Sequence, residues 1–242
     1  MSQATTFAQV QDEKGATRLA IGAWFGLFAG IIAIVLPVTI VFLSAYDTGG
    51  FFSLGTALVQ TSGLLIIAGA FLFILSLFLY RRGFAALRKV DPEFGLASFL
   101  CILGTLGFIL ILISAAVLTG TSSSLLQCVK GDPSHALSCL ESSQPLGAYT
   151  GIVGFALAWV GGLGIAFGLW LAGGRFDEPP LTVGAVVYLV FLIAVISPLL
   201  ALAFSAPELG LLLLVLPVLT LAAPALVLVG TLPQARRRPR GA

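Results

Sequence analysis

Of 242 residues, 59% are hydrophobic and 9% charged, and the mean hydropathy is +1.11; soluble domains run at roughly 45–50% apolar and 25% charged. A water-soluble globular domain is thereby excluded as the main body of the molecule. The formal net charge of +2 is small and unevenly placed, so it points to no nucleic-acid partner.

The chain opens with a polar segment, residues 1–18, and then runs into a first apolar stretch, Leu19 to Ala45. That stretch is far longer than the roughly 7–15 apolar residues of a secretion signal, so it is expected to be a retained span. Gly22, Gly26 and Gly30 recur every fourth residue in it, and Pro37 interrupts it. The second span runs from Thr56 to Tyr80 and carries the polar patch Gln60-Thr61-Ser62. A basic connection, Arg81 to Lys89, follows as the longest inner loop. Asp91-Pro92-Glu93 then reads as helix cap, first-turn proline and first-turn acid for a third span, Phe94 to Gly120, with Cys101 inside it. Residues 121–146 form a long loop containing Cys128, Lys130, His135 and Cys139. The fourth span, Ala148 to Gly174, carries Gly151, Gly154, Ala158, Gly161 and Gly168 near one face, and Arg175 follows it. The fifth and sixth spans, Thr182 to Ser205 and Leu209 to Gly230, are separated only by Ala206-Pro207-Glu208 and are interrupted by Pro198, Pro217 and Pro224. A basic tail, residues 231–242, ends the chain. A hydrocarbon core about 30 Å thick takes roughly 20 apolar residues per helix. The expected fold is therefore all-α: a polytopic transmembrane bundle of six spans.

Charge orients it. If the N-terminus lies inside, eleven of the twelve Lys and Arg residues (Lys14, Arg18, Arg81, Arg82, Arg88, Lys89, Arg175, Arg236, Arg237, Arg238 and Arg240) fall in inner segments, and only Lys130 falls outside. This obeys the positive-inside rule, which places both termini in the cytoplasm and the 121–146 loop on the outer face of the plasma membrane. There an oxidising milieu would let Cys128 and Cys139 pair as a disulfide; two free thiols are the alternative. Arg81, Arg82, Arg88, Lys89, Arg236, Arg237, Arg238 and Arg240 are expected at the lipid headgroups, although topology alone accounts for them.

Inside these limits no span carries a charge, since all ten Asp and Glu residues and all twelve Lys and Arg residues fall in loops or tails. Intramembrane charges mark proton relays, ion pathways and voltage sensors, so those mechanisms are disfavoured. The lone histidine, His135, cannot supply paired axial ligands to a membrane haem, and His135 with two cysteines matches no structural zinc spacing. No lysine lies within a span to carry a retinal Schiff base, and no nucleotide or metalloprotease motif occurs. Ser76, Ser114 and Ser197 have no intramembrane histidine or lysine to activate them. No cofactor, metal site or catalytic residue is expected.

The positive signal is small residues. Gly22, Gly26 and Gly30, and Gly151, Gly154, Ala158, Gly161 and Gly168, let another helix approach closely. That neighbour is either a helix of the same chain or one of another subunit.

Two segments resemble a known family. Glu13-Lys14-Gly15-Ala16-Thr17-Arg18-Leu19-Ala20-Ile21-Gly22-Ala23, and Tyr80-Arg81-Arg82-Gly83-Phe84 through Asp91-Pro92-Glu93-Phe94, are similar to the archaeal multispan membrane-protein family called domain of unknown function 973. The resemblance covers roughly the first half of the chain and implies an archaeal plasma membrane without an activity.

The functional expectation is a non-enzymatic membrane subunit or scaffold, packing with itself or within a larger membrane complex and bathed in membrane lipid. The alternative is a channel or carrier for a neutral or apolar small solute. A lipid-modifying enzyme would have to draw on loop carboxylates such as Asp91, Asp177 or Glu178.

Overall fold

The computed structural model describes the backbone of residues 3–46, 52–119, 145–204 and 216–236, and side chains chiefly over 7–32, 68–114, 149–196 and 216–233. The disulfide expected between Cys128 and Cys139, and Arg237, Arg238 and Arg240 of the tail, lie outside the described residues. So do the side chains of Gln60, Pro37, Pro198 and Arg236.

Six helices make up the described chain: α1 Gln3–Tyr46, α2 Phe52–Leu87, α3 Phe94–Thr119, α4 Pro145–Phe176, α5 Pro179–Phe204 and α6 Leu216–Arg236. Each contains a stretch long and apolar enough to cross a membrane. The all-helical, multi-pass architecture stands, and no strand occurs among the described residues.

The boundaries need correction. Residues 3–18 are not a separate polar segment but the first turns of α1, and Arg81 to Leu87 continue α2 instead of forming a loop. Asp12, Glu13, Lys14, Arg18, Arg81, Arg82 and Arg175 therefore sit in helices, not in loops or tails. At 1.5 Å per residue the 44 residues of α1 reach about 66 Å, twice a hydrocarbon core, so α1 must project beyond it. Hydropathy windows end a span at the first charge, whereas helical hydrogen bonding continues through it. The described part of α6 begins at Leu216, one residue before Pro217. Pro224 lies within the helix.

The helices pack in chain order, each against the next, and α6 returns to α1 to close a ring. Two short connections, between α2 and α3 and between α4 and α5, keep those helices adjacent. Between α2 and α3 the Asp91 side chain accepts a hydrogen bond from the Glu93 amide at 3.1 Å, so it caps α3 as expected. Between α4 and α5 the Glu178 amide donates to the Gly173 carbonyl at 3.1 Å around Asp177, whose φ is 53°. This is a Schellman-type stop with aspartate in the left-handed position usually held by glycine.

One ion pair ties this end of the ring together. Arg175, at the end of α4, meets Asp12 of α1 with a two-pronged contact, Nε to Oδ1 at 2.8 Å and the second nitrogen to Oδ2 at 3.1 Å. Its remaining nitrogen lies 4.0 Å from Asp91. Helices remote in sequence are thus pinned beside the α2–α3 turn. Both partners of the Asp12–Arg175 pair are partly exposed, 28% and 23%, so the pair is worth less than a buried one. A double-mutant cycle on Asp12→Ala and Arg175→Ala, read by thermal unfolding in detergent, is expected to give a coupling of about 1 kcal/mol. The coupling should shrink in high salt.

Candidate functional site

The small residues of α4 determine what the ring encloses. Gly104 and Gly107 of α3 face Gly161, Ala158 and Gly154 of α4 backbone to backbone. A Cβ added to Gly104 would lie 2.6 Å from the Gly161 Cα, and one added to Gly154 would lie 2.9 Å from the Gly107 carbonyl oxygen. Gly151 rests on Ser114, and Gly168 on the ring of Phe84. On α1, Gly22 meets α2 at Ser76 and Tyr80, Gly26 meets Ser76 and Pro224, and Gly30 meets Thr220 of α6. Of the two neighbours the sequence left open, the one observed is the same chain. Gly104 and Gly107 carry half of the principal seam; their three-residue spacing resembles the periodicity singled out on α4, so that signal was present in the sequence.

Polar groups at these seams are satisfied across helices. Ser76 donates to the Gly22 carbonyl and Ser114 to the Gly147 carbonyl, each at 2.7 Å and buried. An unpaired hydroxyl in hydrocarbon is costly, and these serines spend theirs on structure.

At one end, with the Asp12–Arg175 pair, the ring is filled. Tyr80, Phe84 and Phe94 stack in succession with centroids 6.2 Å apart at each step. Leu19, Leu87, Leu169, Leu181 and Val227 are buried around them. Phe84, expected in a loop, is wholly buried.

Further along the bundle the ring opens into a cavity of about 450 Å³. Its wall takes Ala29 and Ile32 from α1, Gly69, Ala70 and Phe73 from α2, Phe108 and Ile111 from α3, Phe155, Ala158, Trp159 and Gly162 from α4, and Tyr188, Phe191, Leu192 and Val195 from α5. Small residues recede to make the space, and aromatic rings surface it. Phe73 and Phe108 meet at 4.8 Å, and Tyr188 and Phe191 edge to face at 5.8 Å. The Trp159 indole N–H donates to the Leu192 carbonyl at 3.1 Å, so the largest lining group brings its apolar body and not a free donor. Among the described residues the wall holds no charged side chain.

Such a volume is in the range of small-molecule sites, commonly 300–1,000 Å³ and mostly apolar. Sequence reasoning missed it because a bundle that is apolar all round gives no signal for which apolar residues face a void. Among the described residues no cluster of His, Cys, Asp or Glu suited to a metal ion occurs, and Cys101 is a buried free thiol.

Of the basic residues expected at headgroups, Arg81, Arg82, Arg88 and Lys89 lie toward the filled end. Arg82 folds over the Phe78 ring at 4.6 Å, and Arg18 donates to the Arg82 carbonyl at 3.1 Å. Arg88 lies over Gly95 at the start of α3. The outer surface of the ring presents large apolar groups such as Phe28, Phe71, Phe99, Ile152 and Trp170, a surface suited to lipid contact.

Neither protein-family models, nor curated proteins, nor solved structures yield a match to this chain.

Proposed function

We propose that the protein is a multi-pass membrane protein that takes an apolar small molecule into the centre of its helical ring, as a binding protein or carrier. The observation behind this reading is the cavity of about 450 Å³ lined by five helices and, among the described residues, free of charged side chains. Burying an ion there would cost several kcal/mol with no partner to offset it, so the occupant is apolar or neutral. The filled aromatic end argues for a site closed on one side and against an ion-conducting pore.

The positive-inside asymmetry supports placing the filled, basic end in the cytoplasm and residues 121–146 outside. The resemblance of the Glu13 and Tyr80 segments to the archaeal family belongs to the same reading and suggests a plasma membrane. A scaffold packing through its glycine faces finds less support, because those glycines meet helices of their own chain.

The test is co-purification. Organic extracts of protein isolated in mild detergent should contain a stoichiometric apolar compound, detected by mass spectrometry. Ala70→Trp, which puts an indole into the cavity, should reduce it at least tenfold while leaving the elution profile of the protein unchanged. Equal recovery from the variant, or no retained compound and no uptake of added hydrocarbon, would overturn the reading.

A further inference from the structure

The central cavity adjoins a second, much smaller one. It measures about 20 Å³ and is lined by Gly26, Ser76, Tyr80, Thr220, Ala223 and Pro224, among others. Phe73, Tyr188 and Phe191 belong to the walls of both. The two spaces therefore meet at a shared aromatic partition. Both walls are mostly apolar, and they differ in residue type: among the described residues Tyr188 alone brings a hydroxyl-bearing side chain to the large cavity, whereas Ser76, Tyr80, Tyr188 and Thr220 line the small one.

The bonding state of these hydroxyls matters. Ser76 is committed to the Gly22 carbonyl and Thr220 to the Leu216 carbonyl at 2.6 Å. Their oxygens retain acceptor capacity but have spent their proton. Tyr80 and Tyr188 have no hydrogen-bond partner among the described residues, and neither phenol oxygen is sealed off and unsatisfied. A proline at position 224 has no N–H to return to the Thr220 carbonyl one turn earlier, so a backbone acceptor is released beside the same space. Among the described residues the nook is thus a mostly apolar space bordered by two phenols and two hydroxyls, with no charged side chain in its wall. Its size admits about one water-sized group, which needs roughly 10–15 Å³.

Resting on the reading of the large cavity as an apolar site, we propose that the ligand is a neutral amphiphile. Its hydrocarbon body fills the central cavity, and a single uncharged hydroxyl or carbonyl group reaches past Phe73 and Phe191 to the phenols of Tyr188 and Tyr80. A carboxylate, phosphate or ammonium head is rejected, because neither wall supplies a counter-charge and desolvation goes unrepaid. Discrimination against the ion, more than attraction of the hydroxyl, sets the specificity.

Trp159, in the wall of the large cavity, provides the measurement. Trp24 and Trp170 are the other two tryptophans, and both are exposed on the outer surface, so Trp24→Phe with Trp170→Phe leaves one reporter inside. In nanodiscs, quenching of Trp159 is titrated with three probes of equal chain length: an ω-bromoalkanol, the corresponding bromoalkane, and the ω-bromocarboxylate at neutral pH. The alkanol should bind about tenfold more tightly than the alkane, and the carboxylate more weakly than either. Tyr188→Phe should bring the alkanol to the affinity of the alkane and leave the alkane unchanged, a pattern that a merely structural role would not produce. If alkane and alkanol bind equally in the parent and in Tyr188→Phe, the polar nook is not used and the proposal fails, while the apolar site stands. If the carboxylate binds as well as the alkanol, the proposal also fails. Absence of saturable quenching by all three would remove the apolar site itself.

Discussion

Gly161→Leu is expected to abolish the folded protein: no monodisperse species should survive extraction in mild detergent, and expression in the membrane should fall severalfold. The reason is the identity of what lies opposite. A side chain at position 161 would enter the backbone of α3 at Gly104, within van der Waals radii of its Cα, with the Leu100 carbonyl oxygen 3.4 Å away. A flexible side chain can turn aside, but a helix backbone moves only as a body. Displacing it would separate the contacts at Gly107, Ala158 and Gly154 along the same seam and lift Ser114 from the Gly147 carbonyl. Overpacking typically costs about 1–3 kcal/mol when neighbours can adjust; here they cannot, so the loss should exceed that range. Gly174→Leu is the matched control, because nothing lies within 4 Å of a Cβ added there. It should extract and elute as the parent does. Recovery of Gly161→Leu as a stable monomer with the parent's melting temperature would show that α3 and α4 are not in backbone contact.

The same seam shows what was legible in the sequence. The glycine spacing on α4 was readable because it repeats at the period of a helix face, and so was the need of that face for a close neighbour. Which neighbour is a question of tertiary pairing, and neither the spacing of Gly151, Gly154 and Gly161 nor hydropathy encodes it. Six apolar helices were likewise readable from length and composition, and the Asp91-Pro92-Glu93 cap from local chemistry alone. The boundaries at residues 18 and 80 were not, because a hydropathy window registers the charges of Lys14, Arg18, Arg81 and Arg82 and is blind to the helical hydrogen bonding that runs through them. Arg175 was counted as one more inner cation; its contact with Asp12, 163 positions away, leaves no local trace. The cavity was the least legible feature. Phe73, Phe108 and Phe155 read the same as Phe71 or Phe99, and only the closure of the ring decides that the first three face a void and the last two face lipid.

Phe84 joins these threads, since a residue placed by hydropathy in a surface loop becomes the plug beneath the site. It is fully buried between Tyr80 and Phe94, and its ring edge meets Gly168 of α4. Phe84→Ala should cost about 3–5 kcal/mol, the range for a large aromatic removed from a packed core, read as a fall in the midpoint of thermal or denaturant unfolding in detergent. Gly168→Ala should also destabilise, by about 1–3 kcal/mol, because the new methyl would overlap the Phe84 ring. The informative measurement is the pair. Leucine at position 84 is shorter than phenylalanine at the point where the ring meets α4, so Phe84→Leu should absorb the Gly168→Ala methyl. The double variant should then be more stable than the two single losses predict, with a coupling of about 1–2 kcal/mol. If the cavity lies above a solid floor, Phe84→Ala should also change what Trp159 senses, making its fluorescence quenchable by a water-soluble quencher at the filled end of the bundle. Strict additivity of the two substitutions, with no change in Trp159 accessibility, would mean that Phe84 and Gly168 do not meet and that the ring is closed at that end by other residues.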